Sequence, residues 1–186
     1  MPEIIAIANQ KGGVGKTTTT VNLAAALHEI GKKTLLIDLD TQGNATTACG
    51  IDKNNIRTSV YDLFLGEATM ENTMVYSEAN GFWVLPANKD LMAAEIQLLE
   101  FREREFQLKQ ILTRIDSRFD YVLIDSPPSM NILTLNALAA SHGVIIPAQC
   151  EYYALEGLTG LLETINKIQE KINPELKIKG VLRTMF

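Results

Sequence analysis

The chain has 186 residues, 46% of them hydrophobic and 21% charged, with a formal net charge of -5 at pH 7. That length suits one domain able to bury roughly 70% of its unfolded surface, and that composition excludes a disordered tail. The acidic balance excludes a global basic field of the kind that attracts nucleic acid, so any such contact needs a local patch. Cys49 and Cys150 belong to no CxxC or Cys/His cluster and read as reduced thiols rather than a disulfide or metal site. The N-terminus, MPEIIAIANQ, lacks the basic start and apolar run of a signal peptide, and no run reaches the length of a membrane span. The expected location is the cytoplasm.

In chain order, EIIAIA (3–8) reads as a strand leading into a glycine loop, followed by a helix through TVNLAAALHEI with Gly31 as its stop. KTLLID (33–38) is a second strand. A turn-rich region, TQGNATTACGIDKNN, follows, with short helical pieces around SVYDLFLG and ATMENTM. GFWVLPA (81–87) is a third strand, and an amphipathic helix is expected over about 90–116, with Met92, Leu98 and Leu99 in the core. FDYVLID (119–125) is a fourth strand, NILTLNALAAS a helix and GVIIPA a fifth strand. A helix over 155–172 places Leu155, Leu158, Leu162, Ile165, Ile168 and Ile172 on one face, and Pro174 marks its end. The last residues, LKIKGVLRTMF, read as a buried strand without a closing element, so the chain is expected to be a fragment of a longer protein. Apolar strands alternating with helices predict an α/β fold, a predominantly parallel sheet covered on both faces.

Ligands of such sheets bind beyond the carboxyl ends of the strands, and what stands there is informative. The first strand ends in NQKGGVGKTTTT (9–20). Gly12, Gly13 and Gly15 allow successive N–H groups to point inward at phosphate oxygens, and the following helix adds its partial positive end. Lys16 would carry charge to the β- and γ-phosphates, the Thr17 hydroxyl is placed for Mg²⁺, and Thr18 for the α-phosphate. A general phosphate loop wants glycine at position 10, where this chain has Gln10, and Lys11 is a second lysine with no role in that pattern. Asp38 and Asp40 at the tip of the second strand lie on the same side of extended chain. Asp125 at the tip of the fourth holds the usual place of a carboxylate behind a magnesium-bound water. His28 and His142 read as structural or surface residues.

KGGVGKTTTTVNLAAAL, LLIDLDTQGNAT, DYVLIDSPPS and GVLRTM closely resemble the ParA/Soj partition ATPases, within the wider deviant Walker A group that includes MinD. The resemblance covers essentially the whole chain, with Thr41 departing from a frequent proline. It implies one P-loop ATPase domain over 1–186 that lacks its C-terminal portion, ATP or ADP with Mg²⁺ as cofactors, and slow hydrolysis coupled to dimerisation in chromosome or plasmid segregation. By the same resemblance, the nucleotide is held by Lys11, Gly12, Gly13, Val14, Gly15, Lys16, Thr17 and Thr18. The metal is held by Thr17, Asp38 and Asp125, and Asp40 orients the attacking water. Lys11 matches the signature lysine that reaches the partner's ATP, and Gly12 lies where two protomers approach. Pro127 and Pro128 lie in the switch segment. The implied partners are a second copy, a ParB-like centromere-binding protein and non-specific DNA, bound mainly through the missing portion while ATP places the protein on the nucleoid; no membrane is expected.

Three other readings are open at this point. A MinD-like or cargo-positioning ATPase would share the chemistry but act at a membrane or protein cluster, and DTQGNAT favours ParA over it. An iron–sulfur reductase needs cysteines after the fourth strand, where SPPSMNILTLNALAAS has none. A nucleotide-binding module without turnover is opposed by the intact acids.

Overall fold

The computed structural model describes residues 1–115 and 118–185, and of 152–156 the backbone alone. The elements run β1 (Glu3–Ile7), α1 (Lys16–Glu29), β2 (Thr34–Asp38), α2 (Asn44–Ala48), α3 (Val60–Leu65), α4 (Met70–Thr73), β3 (Val75–Ser77) and β4 (Phe82–Leu85). Then come α5 (Leu91–Gln97), α6 (Gln107–Leu112), β5 (Tyr121–Asp125), α7 (Ile132–Ala140), β6 (Gly143–Gln149), α8 (Tyr152–Lys171) and β7 (Lys177–Thr184). The described strands form one sheet in the order β3-β4-β2-β5-β1-β6-β7, parallel throughout except where β3 pairs antiparallel with β4. No helix of the described residues is long and apolar enough to cross a membrane.

Alternation along the strands sorts the core onto two faces, as the two-residue period of a strand requires. Ile5 and Ile7 of β1, Leu36 of β2 and Leu123 of β5 pack with Ala24 of α1 and Ala45 of α2. Ile4 and Ala6, Leu35 and Ile37, and Val122 and Ile124 pack on the other face with α5, α6, α7 and α8. Helix α1 ends in paired reverse bonds, Gly31 N–H to the His28 carbonyl at 2.8 Å and Lys32 N–H to the Leu27 carbonyl at 2.9 Å. Gly31 is thus the stop that its position predicts. The loop after β1 leads to a helix on one face and the loop after β5 to a helix on the other. The adjacent carboxyl ends of β1 and β5 therefore frame a crevice, which is where such sheets bind ligands.

Four expectations are corrected. The helix over 90–116 is broken: α5 passes into a 3₁₀ turn (Leu98–Glu100), the chain is extended at Phe101, and Glu103 takes φ 54 before a second 3₁₀ turn (Arg104–Phe106) and α6. Buried Asn136 of α7 supplies what the break removes. Its Oδ1 accepts the Leu108 N–H at 3.0 Å and its Nδ2 donates to the Arg104 carbonyl at 2.8 Å. As a consequence only Leu98 of the three expected core residues is buried, and Met92 (58%) and Leu99 (52%) are exposed. Strand β3 was not expected, although Asn80–Gly81 between aromatic and β-branched residues is a hairpin signal. The final strand β7 is an edge strand with mostly exposed residues rather than a buried one. On α8 the buried residues are Leu161, Ile165 and Ile168, with Leu158, Leu162 and Ile172 half-buried beside them; the side chain of Leu155 lies outside the described residues.

Candidate functional site

The loop 8–15 crosses from β1 to α1 at the head of the crevice. Gly13 (φ +71) and Gly15 (φ +88) adopt the left-handed conformations that turn successive amides to one side of the chain. Buried Val14 anchors the loop, and its carbonyl accepts the Thr184 hydroxyl at 2.9 Å from the end of β7. Asn9 ties the loop on the other side, accepting the Lys11 N–H at 3.0 Å and donating to the Pro147 carbonyl at 2.6 Å. Helix α1 begins with no side-chain cap and no acid in its first turn. Its ladder starts with Thr19 N–H to the Gly15 carbonyl at 2.9 Å, so the N–H groups of Lys16, Thr17 and Thr18 precede it.

Lys16 is only 7% exposed, and its Nζ turns back into the loop to donate to the Lys11 carbonyl at 3.1 Å. Burial depresses its pKa against the opposing pull of Asp125 and Asp40. Beside it, Thr17 Oγ1 donates to Asp125 Oδ2 at 2.7 Å and Thr20 Oγ1 to Asp125 Oδ1 at 3.0 Å. Thr20 was missed in the sequence, although it stands one helical turn from Thr17 in the same threonine run. Asp125 and Asp38 are partners in the parallel register of β5 and β2, and both are fully buried. Burial pushes Asp38 up to about 6, and burial together with the neighbouring Asp38 charge pushes Asp125 up to about 7.

The two aspartates of IDLD are held differently. Asp38 has both oxygens occupied: Oδ1 accepts the Asp40 N–H at 3.1 Å, and Oδ2 accepts Thr46 N–H at 2.8 Å and the Thr46 hydroxyl at 2.7 Å. Thr46 Oγ1 in turn accepts the Ala87 N–H at 2.9 Å, so Asp38 ties the tip of β2 to α2 and to the segment after β4. Asp40 is fixed through Oδ1, which accepts the Gln42 N–H at 2.9 Å. Lys11 is the member of the predicted set that stands apart: its Nζ leaves the crevice for Gln149 Oε1 at 3.1 Å and Glu151 Oε2 at 3.0 Å. Gln149 and Glu151 carried no local signal; only the pairing of β6 with β1 brings them to the loop.

The arrangement fits a polyphosphate with a divalent cation. It offers an uncapped helix start, a buried ammonium, and a hydroxyl and a carboxylate on one spot. Ser126 Oγ, buried directly after Asp125, has no hydrogen-bond partner among the described residues. Among the described residues no group of three or more His, Cys, Asp or Glu is arranged to hold a metal. A cation here would draw on Thr17, Asp125 and oxygens of water and phosphate, the kind of ligand set that Mg²⁺ prefers, with Asp38, the third metal candidate of the sequence, beside Asp125 in the strand register.

A glycine loop between strand and helix, with a lysine inside it and an acid at the tip of the next strand, defines a P-loop NTPase fold. A family model described as an AAA domain matches residues 2–178. The chain is 50% identical to the sporulation initiation inhibitor protein Soj of Bacillus subtilis over 186 residues, all of this chain and 71% of that protein. It is 48% identical to the chromosome partitioning protein ParA of Caulobacter vibrioides over 185 residues, 98% of this chain and 69% of that one. Among solved structures it matches cobyrinic acid a,c-diamide synthase from Mycobacterium smegmatis with bound ADP and magnesium (TM-score 0.96, 45% identity, 100% of this chain and 76% of that one). It also matches a plasmid partition protein from Borrelia burgdorferi (TM-score 0.83, 30% identity, 97% and 78%). The chain belongs to the ParA/Soj family of partition ATPases.

Proposed function

We propose that residues 1–186 form an ATPase module that binds Mg·ATP, dimerises on it and hydrolyses it slowly, as a switch in DNA segregation. The observation that carries this reading is the pair of lysines on one loop: Lys16 buried inside it and Lys11 directed away from it. One lysine suffices for a protomer's own phosphates, which leaves the other for a neighbour's. The relatives named for partitioning supply the biological setting, with a second copy, a ParB-like protein and non-specific DNA as partners.

Gly12, Gly13, Val14 and Gly15 would cradle the phosphates through their amides, with Lys16 on the β- and γ-phosphates and Thr18 at the α-phosphate. Thr17 would ligate Mg²⁺, and Asp125 would hold a magnesium-bound water. Asp38 would serve the metal as a neighbouring charge that keeps Asp40 and the tip of β2 in place, since both of its oxygens are already engaged. Asp40 would orient the attacking water through its second oxygen. When bound, the metal neutralises charge developing on the transferring phosphoryl group. Lys11 of the partner would add a second positive charge there, so ATP would favour the dimer by its differential affinity for that state.

A second reading has one observation behind it: the 45% identity to an enzyme named as a diamide synthase. One experiment separates the two. Calorimetric titration should show Mg·ATP binding by the wild type and none by Lys16→Ala, and wild-type turnover should be slow and rise with non-specific duplex DNA. Turnover indifferent to DNA but raised by a polycarboxylic acid plus an amide donor would favour the second reading and contradict the first.

A further inference from the structure

Lys11 and Lys16 leave the same loop in opposite directions. Lys16 Nζ turns inward to the Lys11 carbonyl, toward the β5 and β2 side where Asp125 and Asp40 stand. Lys11 Nζ turns toward β6, on the other flank of β1, where Gln149 Oε1 (3.1 Å) and Glu151 Oε2 (3.0 Å) both accept from it. Gln149 ends β6, and Glu151 follows two positions later in extended conformation, so both side chains fall on one side of the chain. Gln149 is itself fixed: its Nε2 donates to the Gly13 carbonyl at 3.1 Å and reaches Met185 Sδ at 3.1 Å. One amide thus grips the phosphate loop and the lysine together.

We propose that Glu151, supported by Gln149, is a latch on Lys11 in its own protomer. It rests on the partner-facing role of Lys11 proposed above. The Lys11 ammonium is held by an acid of its own protomer, and it must leave that acid to reach the phosphates bound by a second copy. Glu151 is therefore a negative regulator of the ATP-dependent dimer, acting through Lys11, and has no part in holding the protomer's own nucleotide.

The exposure of the pair sets how strong the latch is. The Lys11 and Glu151 side chains are 43% and 60% exposed, which makes the contact releasable rather than locked. Exposed ion pairs of this kind are worth a factor of roughly 1.5 to 5 in an equilibrium constant. Two latches open in a symmetric dimer, so the factor squares to roughly 2- to 25-fold in the dimerisation constant. Glu151 makes no side-chain cap at the start of α8, so Glu151→Gln removes the charge without removing a helix cap.

The test has two arms. In the first, Lys11 of the nucleotide-free chain is labelled with a limiting acylating reagent and read by mass spectrometry, with Lys32 and Lys33 as internal references. Glu151→Gln should speed Lys11 labelling and leave the references unchanged; equal Lys11 rates in wild type and variant overturn the latch. In the second, sedimentation equilibrium with Mg·ATP should show Glu151→Gln dimerising roughly 2- to 25-fold more tightly than wild type, with unchanged ATP affinity in the monomer. Dimerisation equal to wild type overturns the regulatory role, and weaker dimerisation shows that Glu151 is an interface contact instead. Failure of the underlying Lys11 reading looks different: wild type itself then stays monomeric with ATP, or Lys11→Ala dimerises normally.

Discussion

The buried acid pair at the sheet edge makes a prediction about stability that most carboxylates would not. Asp125 is held near pKa 7 by burial and by Asp38, against an ordinary value of 3.8. Because the folded-state value is raised, the folded chain binds more protons than the unfolded chain between those limits. The contribution is thus fully present below about pH 4 and is lost as pH rises through about 7. At about 1.4 kcal/mol per unit, the ionised carboxylate at pH 8 costs at most about 4 kcal/mol, or on the order of 10 °C in Tm for a chain of this size. Asp125→Asn removes the titration while keeping the shape, and the amide can still meet the hydroxyls of Thr17 and Thr20. In magnesium-free buffer without nucleotide, thermal unfolding followed by circular dichroism should show wild type losing Tm from pH 5 to pH 8. Asp125→Asn should keep more of its Tm, with a residual slope from Asp38, and should forfeit the stabilisation that Mg·ATP gives the wild type. A wild type that gains stability toward pH 8, or a variant less stable than wild type there, would refute the reasoning.

Other predictions test separate parts of the molecule. Asp40→Ala should keep nucleotide binding and lose turnover by roughly 100-fold, accumulating the ATP-bound dimer; normal phosphate release in a turnover assay would remove Asp40 from the mechanism. Gly12→Val should fold normally, since among the described residues a Cβ there meets Pro128 Cβ alone, at 3.8 Å, but should fail to dimerise with ATP in size-exclusion chromatography. Asn136→Leu leaves the Leu108 N–H and the Arg104 carbonyl without their partner, at about 1–3 kcal/mol each, so its urea midpoint should fall well below wild type at unchanged m-value. An unchanged midpoint would show that Asn136 does not sustain the broken helix.

Much of this was legible in the residues because its causes are local. The loop announces itself through glycines and a lysine at fixed spacing, and the acids through their places after apolar strand runs, since strand, loop and helix start are contiguous in the chain. What was not legible depends on partners distant in sequence. The break at Glu103 is sustained by Asn136, more than 30 positions away, and the helical period of 90–116 carries no trace of it. The exposure of β7 follows from its place at the sheet edge, which its apolar composition does not reveal. The different holding of Asp38 and Asp40 is set by Thr46 and Gln42, and the outward turn of Lys11 by two residues at the end of β6. Strand β3, by contrast, has a local signal in Asn80–Gly81 between its two paired runs.

On the proposed function, one loop serves two nucleotides, its own through Lys16 and a neighbour's through Lys11. Sedimentation velocity of wild type and Lys11→Ala, each with no nucleotide, with Mg·ADP and with Mg·ATP, tests it most directly. A dimer is expected only for wild type with Mg·ATP, while Lys11→Ala still binds ATP as a monomer. A Lys11→Ala chain that dimerises with Mg·ATP as wild type does would contradict it.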